Sequence, residues 1–538
     1  MRRYRFLVMI SLLLVLITGC SKNYADDTIM NNSEEKTTIS FGEVNFDSSK
    51  NPYYSESEDI VIAENGYYFK DTSLRTGDII KENSDIKYAS DVRPWYFYDI
   101  ASGEVTPLCS IVDCKHNNPE TCEAFFANVV TTCQRTNGTT YENKEGGRLI
   151  YYKKRLYTMA YDEQSGLRLL SYDYNGNDVR TEVKVSEDGR WQLFGNGDCY
   201  WIHNNKLITI VFKYVLAEQS YDIKAFVINL DNQKKQEILI DKKYGGISYF
   251  ATSVNIRESE GNVYIHYNDG ENTDILKFDE NLSEAVNIFS SKDVLNKRTK
   301  VYDEEKVKFR NLYVYGTKVY YPVEKAEDEG IYYIEIYDYK ESEFSRLEFD
   351  ERVAGEKLNA PCIMVDDKYI YIKESGFAAN GSGTLGVTHN VFTEALENNV
   401  DLNSDVLTVY EASTLRKVYQ KEFEDTIRPN DMDAKEGAGI GRGALDYDYN
   451  QGRKDYAFYA YEVYNLKLIE TEFCAVDDRY IIMFMPPYGA VEGIVDEKKL
   501  KDLGWSELTK IRKSGYVILD KRLIGTGNEK WQLMYKKE

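Results

Sequence analysis

From about residue 59 onward, short runs of β-branched and aromatic residues alternate with turns rich in Asp, Asn, Gly and Lys. This period-two pattern predicts strands and hairpins rather than helices. The run Val365 to Ile372, VDDKYIYI in one-letter code, returns at Val476 to Met483 as VDDRYIIM. Looser copies lie at Glu64 to Phe69, Glu260 to Ile265 and Gly316 to Tyr321. A second unit follows each of these: an alternating strand that ends in an acidic or amide residue, then a turn, then another strand. Its markers are Asp99, Asp173, Asn229, Asp279, Asp338, Glu411 and Asp520. Asn175 and Gly176 form the strongest single turn signal, because both residue types tolerate positive φ.

Two hairpins per unit, repeated about seven times, predict an all-β protein built as a β-propeller of four-stranded antiparallel blades. Seven blades are expected, with six to eight compatible with the spacing. The widest gap, between Glu411 and Asp520, has room for an extra hairpin in Tyr456 to Leu468. A string of β-sandwiches would need separate cores and linkers, and no linker-like break follows residue 58. Amphipathic helix is confined to Asp496 to Lys513, where Leu500, Leu503, Leu508 and Ile511 fall at helical spacing.

Tyrosine is in excess, with 46 Tyr against 22 Phe and 5 Trp. Tyr67, Tyr68, Tyr151, Tyr152, Tyr320, Tyr321, Tyr369 and Tyr371 recur at one point of successive hairpins, where a half-buried strand favours an amphipathic ring. Most of the excess is therefore expected to be architecture. Tyr447, Tyr449 and Tyr488, in segments beyond the blade period, remain for recognition. The four longest such segments are Asn117 to Gly147, Ser375 to Asn403, Thr426 to Tyr456 and Pro486 to Lys513, and loops on a rigid scaffold commonly carry specificity.

The formal charge of -22 argues against nucleic acid as a partner, since phosphate neutralisation needs a basic face. At the N-terminus, Arg2, Arg3 and Arg5 precede an apolar run from Phe6 to Ile17, too short for a comfortable bilayer span and patterned as a secretion signal. The run closes on Ile17, Thr18, Gly19 and Cys20, the pattern of a bacterial lipoprotein cleavage box. Residues 1–19 are accordingly expected as signal peptide and Cys20 as the lipidated residue, which places the chain at the cell membrane facing the extracytoplasmic side. Residues 20–58, polar and acidic, are expected as a flexible tether, and residues 59–538 as the propeller, with a Cys/His-containing insertion at 109–133 and a helical one at 486–513. An acidic body is repelled by anionic lipid, so attachment falls to acyl chains, each buried methylene contributing about 0.8 kcal/mol.

Apart from Cys20 there are seven cysteines, four of them within Cys109 to Cys133. Cys109, Cys114, His116 and Cys122 fit a tetrahedral zinc shell of three thiolates and one imidazole. Disulfides are what an exported chain leads one to expect, closing short loops at about 3 kcal/mol for a loop near 15 residues, and reduced thiols suit an anaerobic one. The odd number excludes complete internal pairing. A closed zinc shell would be structural, because it leaves no open coordination position. Cys199, Cys362 and Cys474 begin strand-like segments and read as buried apolar thiols.

Catalytic patterns are sparse. The four histidines are His116, His203, His266 and His389. No Gly-x-Ser-x-Gly elbow occurs. The alternating Gly437, Gly439, Gly441 and Gly443 lack a dinucleotide fingerprint's context. Asp446, Asp448, Asn450, Gly452 and Asp455 suggest a calcium loop, but the Gly falls one place late and no Glu closes the shell.

The run ending at Cys20, the repeated Asp-Asp-Lys-Tyr strands, the stretch Pro107 to Cys122 and the pair Tyr200 and Trp201 together resemble bacterial lipoproteins with a TolB-like or low-density-lipoprotein-receptor-like β-propeller. The resemblance implies a ligand- or protein-binding, scaffolding role at the cell envelope, with a protein or glycan as ligand, and carries over no catalytic residue. The rival expectation is a propeller glycosidase or lyase using central carboxylates.

Overall fold

The computed structural model describes residues 54–55, 57–71, 86–89, 92–134, 138–163, 166–186, 190–194, 199–244, 253–297, 306–307, 309–324, 332–348, 361–374, 406–422, 472–485 and 515–534. The described residues form seven sheets, each containing a four-stranded antiparallel meander. In the first sheet the order is Ile60–Ala63, Gly66–Lys70, Trp95–Asp99, Val105–Pro107. The seventh, made of Glu472–Val476, Tyr480–Met485, Gly515–Asp520 and Trp531–Leu533, repeats that order at the other end of the chain.

Side chains join the sheets into a cycle. Val61 and Tyr68 of the first sheet share a core with Tyr151 and Leu156 of the second. Met159, Ile208 and Ile256 continue it through the third and fourth. Tyr264 and Tyr321 link the fourth to the fifth, Ile336 and Ile370 the fifth to the sixth, and Val409 and Met483 the sixth to the seventh. Ile62 and Phe69 then meet Ile482 and Ile518, closing seventh on first. This is a β-propeller, and each sheet buries both faces against its neighbours. The inner strands therefore lose the alternation of a two-layer sandwich: Tyr369–Glu374 is buried at five of its six positions. Outermost strands recover exposure, as in Ala285–Ser290.

The acidic markers are turn devices. The carboxylate of Asp173 accepts from the backbone N–H of Asn175 and Asn177, that of Asp279 from Ser283 and Glu284, and that of Asp338 from Lys340 and Glu341. Asn229 serves Asp231 and Asn232 with its amide oxygen. A short oxygen-bearing side chain at the strand end thus satisfies donors that the ladder no longer reaches. Asp366 and Asp477 do the same at the first hairpins, each accepting from the N–H groups two and three residues on.

The second sheet departs from the repeat. Besides the meander Ile150–Tyr152, Arg155–Asp162, Gly166–Asp173 and Arg180–Lys184, it takes in a hairpin of Val129–Gln134 and Thr140–Glu145 plus Ile86–Tyr88. Two of its pairings are parallel, Ile86–Tyr88 with Thr140–Glu145 and Val129–Gln134 with Arg155–Asp162. Within the segment Asn117 to Gly147, expected as a specificity loop, Val129–Gln134 and Thr140–Glu145 are sheet extension. At Asn175 and Gly176 only the glycine takes positive φ, at 85°. Among the described residues the one α-helix is Ser291–Lys297, which the sequence pattern did not single out. No helix among them is long and apolar enough to cross a membrane. The expected helix at 496–513 and the extra hairpin at 456–468 lie outside the described residues.

The recurrent tyrosines are core: Tyr67, Tyr68, Tyr151, Tyr152, Tyr320, Tyr321 and Tyr371 are buried, and Tyr369 is half-buried. Burial pushes the phenols of Tyr157, Tyr172 and Tyr320 up to about 12. An unfolded phenol ionises near pH 10, so the unfolded chain gains charge first. The stability these groups contribute is complete below pH 10 and is lost as pH rises from about 10 to 12. Absorbance titration should show a class of phenols still protonated at pH 11 in the native chain and ionising near pH 10 in urea. A single native step near 10 would disprove it.

Candidate metal centre

The chain leaves the first sheet at Pro107 and runs to Phe126 as a strap whose two ends return to Trp95. Leu108 N–H donates to Trp95 O at 2.9 Å, and Trp95 N–H donates to Ala124 O at 2.9 Å, so both ends of the strap are held by one residue. Leu108, Ala124 and Phe126 fill the core between the first and second sheets. Gly176 packs on this strap: a Cβ there would meet the Phe126 ring at 3.0 Å.

Between those fixed ends the strap folds on itself. Asp113 and His116 both adopt positive φ, 61° and 49°, which is uncommon for residues with side chains and reverses the chain twice in four residues. Asn118 closes the next turn, its carbonyl accepting from Cys122 N–H at 3.0 Å and its side chain from Glu120 N–H at 2.9 Å. Across the strap, Glu123 accepts from the Ser110 backbone N–H and hydroxyl at 2.9 and 2.7 Å, and these bonds hold its carboxyl below the usual range.

These turns bring Cys109, Cys114, His116 and Cys122 together, with their donor atoms all within 4.8 Å of one another. His116 Nδ1 lies 3.4 Å from Cys122 Sγ, and the ring sits edge-on to Tyr96. Cys122 is buried and the other three are partly exposed, which leaves a path from solvent. Burial opposes thiolate formation at Cys114, yet the backbone N–H of His116 and the Cys122 and Cys109 thiols hold its pKa below the ordinary value. Burial pushes the Cys122 thiol up, reinforced by Cys114 and Cys109.

Sequence reasoning placed these four residues together, and the fold does so. It missed the Ser110 to Glu123 brace, whose only signal is a hydroxyl and a carboxylate each next in sequence to an outer ligand. Cys133 stands apart on Val129–Gln134, 3.9 Å from the Thr131 hydroxyl. Cys199 and Cys474 are buried and Cys362 is half-buried. Cys20, His389, the glycines at 437–443, the candidate calcium residues at 446–455 and the segments 375–403, 426–456 and 486–513, with Tyr447, Tyr449 and Tyr488, lie outside the described residues.

Two further clusters had no signal in sequence. The Arg148 guanidinium lies 4.8 Å from the Tyr54 ring centre and 5.3 Å from that of Trp201. Trp201 Nε1 donates to Glu258 at 2.6 Å, and the other oxygen of that carboxylate is 3.3 Å from His203 Nδ1. This cluster joins the third and fourth sheets to Arg148 and Tyr54, which lie outside the strands. The second joins the ends of the ring: Arg479 binds Asp477 through Nε and Nη2 at 2.9 and 2.6 Å, and reaches the carbonyls of Glu64 and Ala63 at 3.0 and 3.1 Å.

No family model matches the chain, and no curated protein matches it in sequence. Solved structures similar in fold include the WD40 domain of SCAP from fission yeast, at 9% identity over 90% of this chain and 91% of that one, with a TM-score of 0.34. An oligogalacturonate lyase from Vibrio parahaemolyticus aligns over 69% of this chain and 82% of that one, at 9% identity and TM-score 0.33. A GH43 endo-arabinanase from Bacillus licheniformis covers 50% of this chain and 95% of its own, at 12% identity and TM-score 0.20. Enzymes and a WD40 domain alike use this class of fold, and such distant likeness selects no function among them.

Proposed function

We propose that the chain is a lipid-anchored, extracytoplasmic β-propeller of the TolB-like kind that acts as a ligand- or protein-binding scaffold of the cell envelope. The observation that carries the proposal is the apolar run ending at Cys20 together with the place where the chain meets the ring. Ser55 is buried, its hydroxyl donating to Cys474 O at 3.1 Å in the seventh sheet, and its carbonyl accepts from the Arg148 guanidinium. Tyr54 and Ser55, within the segment expected as a tether, are therefore docked on the disc. The 34 Cα-to-Cα steps from Cys20 to Tyr54 span at most about 120 Å, which keeps the ring within that distance of the bilayer. A ring tethered within that reach stands where envelope partners can meet it.

Replacing Cys20 with serine should release the chain from the membrane fraction by more than tenfold and abolish incorporation of labelled palmitate. Unchanged sedimentation with membranes, or no label in the parent protein, would end the anchoring proposal. Partner binding is tested by crosslinking in intact envelopes and pull-down. Replacing 375–403, 426–456 and 486–513 with short linkers should abolish recovery of the partner, and full recovery would argue against recognition by these segments.

A further inference from the structure

We propose that Cys109, Cys114, His116 and Cys122 hold one zinc ion, which locks the strap between the first and second sheets.

The donor set points to the ion. Three sulfurs and an imidazole nitrogen suit a tetrahedral zinc shell, where metal–sulfur distances of about 2.3 Å and metal–nitrogen distances of about 2.0 Å set donor separations of about 3.5–3.8 Å. The observed 3.4 Å between His116 Nδ1 and Cys122 Sγ already matches such an edge, and the whole set lies within 4.8 Å, so the donors need shift by only about 1 Å. A disulfide uses only two of the four donors. One divalent cation uses all four, and binding releases the thiol protons to solvent.

The surroundings fit a structural ion. Asp113 and His116 spend conformational energy on positive φ in a strap that has few backbone ladder bonds of its own. Ser110 and Glu123 brace the residues beside the outer ligands. The strap also supplies Leu108, Ala124 and Phe126 to the core between the two sheets, so fixing it fixes their junction. With all four positions filled by protein, the ion is a fastener rather than a reaction centre.

The test uses the full chain, extracted in detergent and purified under reducing, anaerobic conditions. Elemental analysis should give one zinc per chain. Cobalt(II) in its place should show thiolate-to-metal charge-transfer bands and the intense visible bands of a tetrahedral site. Cys122→Ser and His116→Asn should each cut bound metal to below one-tenth, whereas Cys133→Ser should keep it. Because Cys122 is buried and its variant can misfold, His116→Cys provides the second arm: it should bind cobalt fully with a shifted spectrum. Chelation should raise amide exchange in 95–99 and 108–126 while the fourth to sixth sheets stay protected. Any of three results overturns the proposal: no metal with free thiols, a disulfide among Cys109, Cys114 and Cys122 in the protein as isolated from cells, or full zinc content in both His116→Asn and Cys122→Ser. None of these outcomes depends on whether Cys20 is acylated.

Discussion

Replacing Arg479 with alanine should destabilise the protein by about 3–5 kcal/mol and loosen the ring at the seam between its first and last sheets. Among the described residues no strand is exchanged across this seam: their first sheet is wholly N-terminal and their seventh wholly C-terminal. Closure rests on packing, on the bonds from Ser55 and Ser57 to Cys474 O, and on a buried polar assembly around Arg479. Arg479 and Asp477 are each nearly inaccessible, with side chains 5% and 0% exposed, and form an ion pair within the seventh sheet in which Nε and Nη2 both donate to Asp477 Oδ2. The guanidinium also donates to the carbonyls of Ala63 and Glu64 and lies 5.1 Å from the Tyr67 ring centre. Tyr67 in turn donates its hydroxyl to Asp477 Oδ2 at 2.7 Å. Removing the guanidinium leaves a buried carboxylate without its cation, which costs far more than the pair contributes over two apolar residues. Lysine should rescue little, since it lacks the planar fork that serves a carboxylate and two carbonyls at once. Thermal unfolding measures the loss, and hydrogen exchange locates it. Protection should fall together in 60–70 and 472–485, more than 400 residues apart. Loss of protection confined to the seventh sheet would show that Arg479 does not close the ring.

Gly66→Ala should cost about 3 kcal/mol or more, at the upper end of what overpacking imposes. A Cβ at this position would lie 1.8 Å from the Tyr98 carbonyl oxygen and 2.8 Å from the Phe97 ring. The obstruction is backbone, and the strand that carries it, Trp95–Asp99, is paired on both sides and cannot withdraw. Gly103 is the control. It has a φ of +70° with open space around it, so alanine there meets only backbone strain of about 1 kcal/mol. Trimming Phe97 to leucine should not rescue Gly66→Ala. Chemical denaturation of the variants checks the order, and equal costs at Gly66 and Gly103 would refute the clash.

The repeat that revealed the propeller is legible because every hairpin faces the same local demand. A polar oxygen at Asp366 or Asp477 caps the turn, and a β-branched or aromatic run enters the core, wherever the unit stands in the ring. What differs between the copies is tertiary. VDDKYIYI and VDDRYIIM look interchangeable, yet Asp366 is met by Tyr371 of its own sheet and Lys521 of the next, while Asp477 is met by its own Arg479 and by Tyr67 from the far end of the chain. The Lys-to-Arg difference between the two copies places the seam residue, but only the closed ring says so.

The cysteine cluster divides the same way. Its members are close in sequence, so their meeting was foreseeable from spacing. Their convergence, with Cys133 left out on a strand, depended on two positive-φ residues and on where the strap is pinned. The parallel pairings of the second sheet and the cluster of Arg148, Trp201 and Glu258 had no sequence signal, because their partners lie far apart along the chain and share no periodicity. Sequence by itself determined what short-range physics controls: the signal-like run to Cys20, the strand period, the turn caps and the buried tyrosines. The fold decided which ends meet, which charges are buried together and which thiols share a point, since those depend on contacts between residues that only the closed ring brings within reach.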